Sequence, residues 1–86
     1  MNVYYADNFV KSAQKLNTKQ QAKLTGLIVL LSKNPFHSKL HTKALSGEFV
    51  GIYSFRISRD WRAVFRFLSP EEIVLIEVDH RKDIYR

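Results

Sequence analysis

The chain has 86 residues, of which 45% are hydrophobic and 13% aromatic, so it is long enough for one domain with a modest core and too apolar to be disordered. It has no cysteine, which excludes a disulfide framework, a zinc site built on thiolates and a cysteine nucleophile. The formal net charge of +6 favours a polyanion or an acidic protein as the partner. We therefore expect a single domain over residues 1–86.

Neither a targeting segment nor a membrane span is predicted. Tyr4 and Tyr5 lead into Asp7 rather than into the apolar stretch of a signal peptide. The longest apolar run, residues 27–31, is far shorter than the roughly 20 residues that cross a bilayer. A cytoplasmic protein without membrane contact is expected.

The N-terminal half is predicted to form a short strand and two helices. Asn2 to Tyr5 has the composition of a strand, and Asp7 offers a side-chain oxygen as the N-cap of a first helix. A second helix is predicted from Asn17 or Thr18 to about Lys33, where an Asn-Pro pair ends it. Apolar residues recur at helical spacing in both segments: Phe9, Val10, Ala13 and Leu16, then Leu24, Leu27, Ile28, Leu30 and Leu31.

The C-terminal half is predicted to form three strands after a connector, residues 34–51, that has little periodicity. Residues 53–58 and 61–67 alternate between apolar and polar side chains, and Ser69 and Pro70 mark a turn. Residues 73–78 are more continuously apolar, as expected near the centre of a sheet. The order β-α-α-β-β-β predicts an α+β fold in which a small antiparallel sheet carries the N-terminal helical hairpin on one face and leaves the other face available.

Arginines on the predicted strands indicate a phosphodiester ligand. Arg56, Arg62 and Arg66 recur along two of the strands, and a guanidinium group can hold two phosphate oxygens at once. RNA is therefore the leading candidate. If Arg56 and Arg62 contact one phosphate, they must share a sheet face, which requires a hairpin loop of odd length or a bulge.

Two further groups of residues have alternative interpretations. Seven lysines and no acidic residue lie between Asn8 and Gly47, either as solvated helix faces or as a contact surface for a polyanion. His37 and His41 have the spacing of a metal pair, but Pro35 makes a regular helix doubtful and no third ligand is evident. No metal and no cofactor are expected.

Three stretches carry a resemblance to a known family. They are residues 45–57 (Leu-Ser-Gly-Glu-Phe-Val-Gly-Ile-Tyr-Ser-Phe-Arg-Ile), residues 61–66 (Trp-Arg-Ala-Val-Phe-Arg) and residues 80–86 (His-Arg-Lys-Asp-Ile-Tyr-Arg). They resemble the RelE/ParE superfamily of toxins from type II toxin–antitoxin modules, and the resemblance extends over the whole chain in length and element order. Ribosome-dependent mRNA endonucleases of the RelE and YoeB type share this scaffold with ParE toxins, which poison DNA gyrase. The ending from His80 to Tyr85 is similar to that of the nucleases.

The resemblance implies a catalytic set on the sheet and in the tail. Arg62 matches the strand arginine that contacts the scissile phosphate, and Arg56 matches a cationic position on the preceding strand, although it could also be a surface charge beside an acidic residue. Histidine is the side-chain type best suited to carry a proton at physiological pH, so His80 is the natural proton shuttle. Arg81 is the alternative, and His80 could also be a purely structural residue. Tyr85 stacks on a base, binds the phosphate or packs the tail against the sheet.

The remaining predicted residues are cations for RNA binding: Lys43, Arg66 and Lys82. Lys43 stands where the YoeB branch has a glutamate that serves as general base, which favours a RelE-like mechanism that relies on clustered cations. No carboxylate cluster is expected to take part.

The sequence therefore predicts an endonuclease that cuts mRNA in the ribosomal A site without a metal, through attack by the 2′-hydroxyl of the RNA. A cognate antitoxin is expected to inhibit it by covering the sheet or by displacing the C-terminal tail. The alternatives are a gyrase-poisoning toxin of the ParE type, which is not an enzyme, and a decayed toxin that keeps only the fold and antitoxin binding.

Overall fold

Five strands form one sheet, and two helices cover one of its faces, in a computed structural model that describes residues 1–84 apart from the side chain of Ile84. The helices are α1 (Asp7–Ala13), α2 (Thr18–Lys33) and the short α3 (Arg81–Ile84). The strands are β1 (Asn2–Tyr5), β2 (Lys43–Ala44), β3 (Ile52–Arg56), β4 (Trp61–Ser69) and β5 (Glu72–His80). This architecture confirms the predicted α+β fold, with the short β2 and α3 as additions.

The sheet is mixed rather than wholly antiparallel, which corrects the prediction. Its strand order is β1-β5-β4-β3-β2, and β3, β4 and β5 are antiparallel neighbours joined by short connections. Strand β1 instead runs parallel to β5, with Tyr5 opposite Leu75. Because short hairpins dictate antiparallel pairing, and no turn joins β1 to β5, only tertiary packing sets the direction of β1.

Local sequence explains the ends of α2 but not the start of α1. The Asn17 side chain accepts a hydrogen bond from the Gln20 backbone N–H, and the Gln20 side-chain oxygen accepts one from the Asn17 backbone N–H. These two reciprocal bonds form a capping box. The prediction that Asp7 caps α1 is wrong: Ala6 is the N-cap residue and makes no side-chain bond, while Asp7 is the first helical residue. The Asp7 carboxylate there still interacts favourably with the positive end of the helix dipole.

The connector contains more structure than its sequence pattern indicates. It forms two short 3₁₀ helices, Ser38–Leu40 and Gly47–Phe49, and strand β2, whose Lys43 pairs with Ser54. The His37 side chain caps the first of these helices, since its Nδ1 accepts from the Lys39 N–H at 3.1 Å. Gly51 has a φ of 89° just before β3, a conformation that favours glycine.

The core lies between the helices and one sheet face. Its buried side chains are Phe9, Leu16, Leu24, Leu27 and Leu31 from the helical segments, Leu40 from the connector, Ile57 from the β3–β4 loop, and Phe55, Ala63, Phe65, Ile73, Leu75 and Val78 from the strands. Val10, which was predicted for this stripe, is 47% exposed, because the seven-residue α1 turns only one narrow face to the sheet. None of the helices described in residues 1–84 is long and apolar enough to traverse a bilayer.

Candidate functional site

The sheet face that points away from α1 and α2, here called the open face, collects the predicted cations. Ala63 and Phe65 of β4 are buried in the core, so the alternating residues Arg62 and Arg66 belong to the open face. Arg56 lies directly opposite Arg62 in the β3–β4 ladder, which confirms that the two arginines share a face. Lys43 joins them through its pairing with Ser54, the open-face neighbour of Arg56 on β3.

Arg62 is held differently from the other cations of the open face. The side chains of Lys43, Arg56 and Arg66 are exposed, whereas Arg62 is only 8% exposed. Its Nη1 donates to the backbone oxygens of Ser58 at 2.6 Å, Trp61 at 3.1 Å and Arg59 at 3.2 Å. The guanidinium group of Arg62 therefore braces the β3–β4 loop.

His80 does not join the arginines. An irregularity in the β4–β5 pairing leaves Ile76 as an extra residue, so Phe65 pairs with Leu75 while Val64 pairs with Glu77. This bulge shifts the alternation of β5, and His80 leaves the sheet on the side of its partner Trp61, with ring centroids 5.4 Å apart. His80 Nδ1 also accepts from the Lys82 backbone N–H at 3.2 Å, as the residue before α3.

The other C-terminal candidates lie near the end of the β3–β4 hairpin or outside the described part of the chain. The Arg81 backbone N–H donates to the Asp60 carbonyl oxygen at 2.8 Å, and its Nε lies 3.7 Å from Asp60 Oδ1. Both side chains of that ion pair are about half exposed, so it contributes little to stability. Lys82 is exposed on α3, and Tyr85 lies outside the described residues.

The open face also carries carboxylates that the sequence analysis did not single out. Glu77 lies opposite Val64, Asp79 lies opposite Arg62, and both border a groove with Asp83. Partial burial raises the pKa of Glu77, and the charge of Asp79 and a hydrogen bond with it raise that pKa further. The two-residue spacing of Glu77 and Asp79 on one strand was the available indication that they share a face.

Comparisons with known proteins agree with this architecture. The family model for the ParE toxin of type II toxin–antitoxin system, parDE, matches residues 2–85. No curated protein sequence matches the chain. Solved structures show the same fold at low identity.

One similar structure is the YoeB/ParE toxin from Agrobacterium tumefaciens, with a TM-score of 0.80, 21% identity and coverage of 94% of this chain and 99% of that one. YafQ from E. coli strain BL21(DE3) has a TM-score of 0.79 and 17% identity, with coverage of 99% and 98%. The toxin–antitoxin complex RelBE2 from Mycobacterium tuberculosis has a TM-score of 0.77 and 24% identity, with coverage of 93% and 96%. The predicted resemblance is confirmed: the chain belongs to the ParE toxin family of type II toxin–antitoxin systems, within the RelE/ParE superfamily.

Proposed function

We propose that this toxin is a metal-independent endonuclease that cuts mRNA in the ribosomal A site and so inhibits translation. The observation that carries the proposal is the strand register, which gathers Lys43, Arg56, Arg62 and Arg66 on one open face. Three of these four cations are exposed, so a phosphate backbone can reach them. Basic groups arranged in this way are the usual electrostatic footprint of a nucleic-acid site.

In the proposed reaction, the 2′-oxygen of the RNA attacks the adjacent phosphorus and the 5′-oxygen of the next nucleotide leaves. The products are a 2′,3′-cyclic phosphate and a 5′-hydroxyl, and one proton passes from the 2′-hydroxyl to a base while another passes from an acid to the leaving oxygen. Arg56 and Arg66 bind the phosphate and stabilise the negative charge that grows on it, and Arg62, whose Nη1 is engaged by the loop carbonyls, adds its positive charge on the same face. Lys43 and Lys82 contact neighbouring phosphates.

Proton transfer is assigned to the C-terminal segment, to His80 or Arg81 with Tyr85. For His80 to act on a phosphate at the open face, its packing on Trp61 and its bond with the Lys82 N–H must both be released. Release of α3 from the end of β5 would provide this movement. The proposed site is therefore completed by a rearrangement of the tail.

A cognate antitoxin is the proposed protein partner. RelBE2 from Mycobacterium tuberculosis, which is similar in fold, is a toxin–antitoxin complex. By extension, we propose that an antitoxin inhibits this chain by covering the open face or by holding α3 away from the site.

The test compares two exposed arginines that lie three residues apart. Arg56→Gln removes a cation from the open face, whereas Arg59→Gln removes one from the adjacent loop and serves as the control with equal net charge. We expect Arg56→Gln to lower mRNA cleavage by about tenfold or more, because a charge-assisted contact to the transition state is lost, and Arg59→Gln to have little effect. Cleavage is measured by mapping RNA 5′ ends on translating ribosomes.

The same assay examines the nucleophile. A 2′-deoxy nucleotide at the scissile position should abolish cleavage, and chelation of divalent ions should leave the catalytic step intact once the ribosomes are assembled. Cleavage that persists on the deoxy substrate would show that the proposed chemistry is wrong.

Poisoning of DNA gyrase is the second candidate. Two observations favour it: the matching family model is that of the ParE toxin, and His80 leaves the sheet on the face opposite Arg56 and Arg62. Expression of the chain in bacteria, with plasmid supercoiling and protein synthesis followed together, separates the two activities. A loss of supercoiling that precedes any loss of translation would assign the toxin to the gyrase-poisoning type.

A further inference from the structure

A groove of about 270 Å³ crosses the open face from the connector and β3 to β5, and none of the residues that line it takes part in the proposed RNA chemistry. Its apolar lining comes from both sides of the sheet's centre: Leu45, Phe49 and Ile52 from the connector and β3, and Val64 and Ile76 from β4 and β5. Phe49 is 46% exposed, so one wall of the groove presents an aromatic ring to the solvent. We call it the acidic groove, because Glu77, Asp79 and Asp83 complete its lining.

The charge of the acidic groove is opposite to that of the molecule. Three of the eight acidic residues of a chain with net charge +6 border this single concavity. Glu77 and Asp79 share a hydrogen bond, and neither forms an ion pair with a cation of the described residues. Arg62, the cross-strand partner of Asp79, directs its Nη1 to the loop carbonyls instead.

The apolar and acidic parts of the lining together decide which kind of ligand can bind in the acidic groove. A phosphate would be repelled by Glu77 and Asp79, and a purely apolar ligand would bury both carboxylates without a cation to pair with them, which is costly. A cation beside an apolar group satisfies both parts of the lining, because it pairs with the carboxylates while the apolar group covers Val64 and Ile76.

We propose that the acidic groove docks a segment of a partner protein in which an apolar side chain lies next to a lysine or arginine. Val64 lies between Arg62 and Arg66 on the same face of β4, so a bound segment would also cover the surface between those two arginines. Occupancy of the groove would therefore hinder a nucleic acid on the open face. The docking itself is independent of the endonuclease proposal and holds for a gyrase-poisoning toxin as well.

The test uses the full chain, labelled with ¹⁵N, and capped six-residue peptides in which leucine alternates with arginine, glutamine or glutamate. We expect the arginine peptide to shift the backbone amide signals of Val64, Ile76 and Glu77 and to bind about tenfold more tightly than the glutamine peptide. General electrostatic attraction cannot explain such binding, because the chain and the peptide are both positive. This comparison needs no variant and so does not depend on the folding of one.

Two charge-matched variants locate the binding. The double variant Glu77→Gln/Asp79→Asn should weaken the arginine peptide about tenfold, whereas Asp7→Asn/Glu71→Gln, which removes two exposed carboxylates elsewhere, should leave it unchanged. Equal binding of the arginine and glutamine peptides, or unchanged binding to the first double variant, would overturn the proposal. The proposal also fails if a short single-stranded RNA, or a second copy of the chain at high concentration, shifts these amides while the arginine peptide does not.

Discussion

Arg56 and Arg62 show how two identical residues in one cross-strand pair acquire different roles. Both occupy polar positions of alternating strands, and both were predicted to bind the phosphate. Arg56 is exposed, whereas Arg62 is 8% exposed and donates to three carbonyls of the loop between them. Burial and hydrogen bonding, rather than residue type, separate a group that a ligand can reach from one that supports the hairpin.

This difference predicts unequal effects on stability. Arg62→Ala should lower the free energy of unfolding by about 2–4 kcal/mol, because the Ser58 and Arg59 carbonyls lose the guanidinium donor and a buried side chain is truncated. Arg56→Ala should change it by less than about 0.5 kcal/mol, as expected for an exposed side chain. Urea denaturation followed by circular dichroism measures both.

If Arg62→Ala proves as stable as the parent chain, the loop does not depend on this guanidinium. If it is destabilised as expected, a loss of toxicity in Arg62→Ala is not by itself evidence for catalysis, because the variant also loses folded protein. The exposed Arg56 is therefore the better residue for testing chemistry.

At the scale of elements, α1 completes the edge of β5 where β1 ends. Strand β1 pairs with β5 as far as Leu75, and the Ala6 N–H donates to the Leu75 carbonyl oxygen at 3.0 Å. Beyond Leu75, the Ser12 side chain supplies the acceptor that β1 no longer provides. Its Oγ accepts a hydrogen bond from the Val78 N–H at 2.8 Å and donates one to the Asn8 carbonyl at 2.6 Å. A helix hydroxyl thus satisfies a strand N–H that has no strand partner.

Ser12→Ala should therefore lower the free energy of unfolding by about 1–3 kcal/mol, because the Val78 N–H loses its acceptor in a partly buried place. Ser32→Ala in α2 is the matched control, since the Ser32 Oγ only donates to the Val29 carbonyl of its own helix. Amide hydrogen exchange at Val78 should accelerate in the first variant alone. Equal exchange in both variants would contradict this account of the β5 edge.

At the scale of the molecule, the positive charge is divided between two sides of the sheet. Lys11, Lys15, Lys19 and Lys23 are exposed on or beside the helices, while the arginines lie on the open face beyond the sheet. If RNA binds the open face, the arginines there contact phosphates directly, whereas the four lysines of the helical side act only through the long-range field, which salt screens.

Salt dependence distinguishes the two sides. For single-stranded RNA, Arg56→Gln/Arg66→Gln should reduce the slope of log affinity against log salt by about 1.4, which corresponds to two phosphate contacts. Lys11→Gln/Lys15→Gln removes the same net charge and should reduce the slope much less. Binding titrations over a range of salt concentrations give both slopes, and equal reductions would place the RNA on the helices as well.

The sequence by itself determined the elements whose causes are local. The alternation of residues 53–58 and 61–67, the Asn17 cap and the Asn-Pro end of α2 each depend on neighbours a few residues away, and the structure contains each of them. The three family-like stretches likewise indicated the superfamily, and the match of the family model to residues 2–85 confirms it.

Tertiary structure alone decided what depends on contacts between distant segments. The parallel pairing of β1 with β5 joins residues about 70 positions apart, and no local pattern records it. The extra residue Ile76 shifts the alternation of β5, which turns Glu77 and Asp79 to the open face and His80 away from it, whereas strict alternation from Ile73 and Leu75 would have given the reverse. Because one bulge reverses the face of every residue after it, the composition of the candidate site was decided by strand pairing and not by residue type.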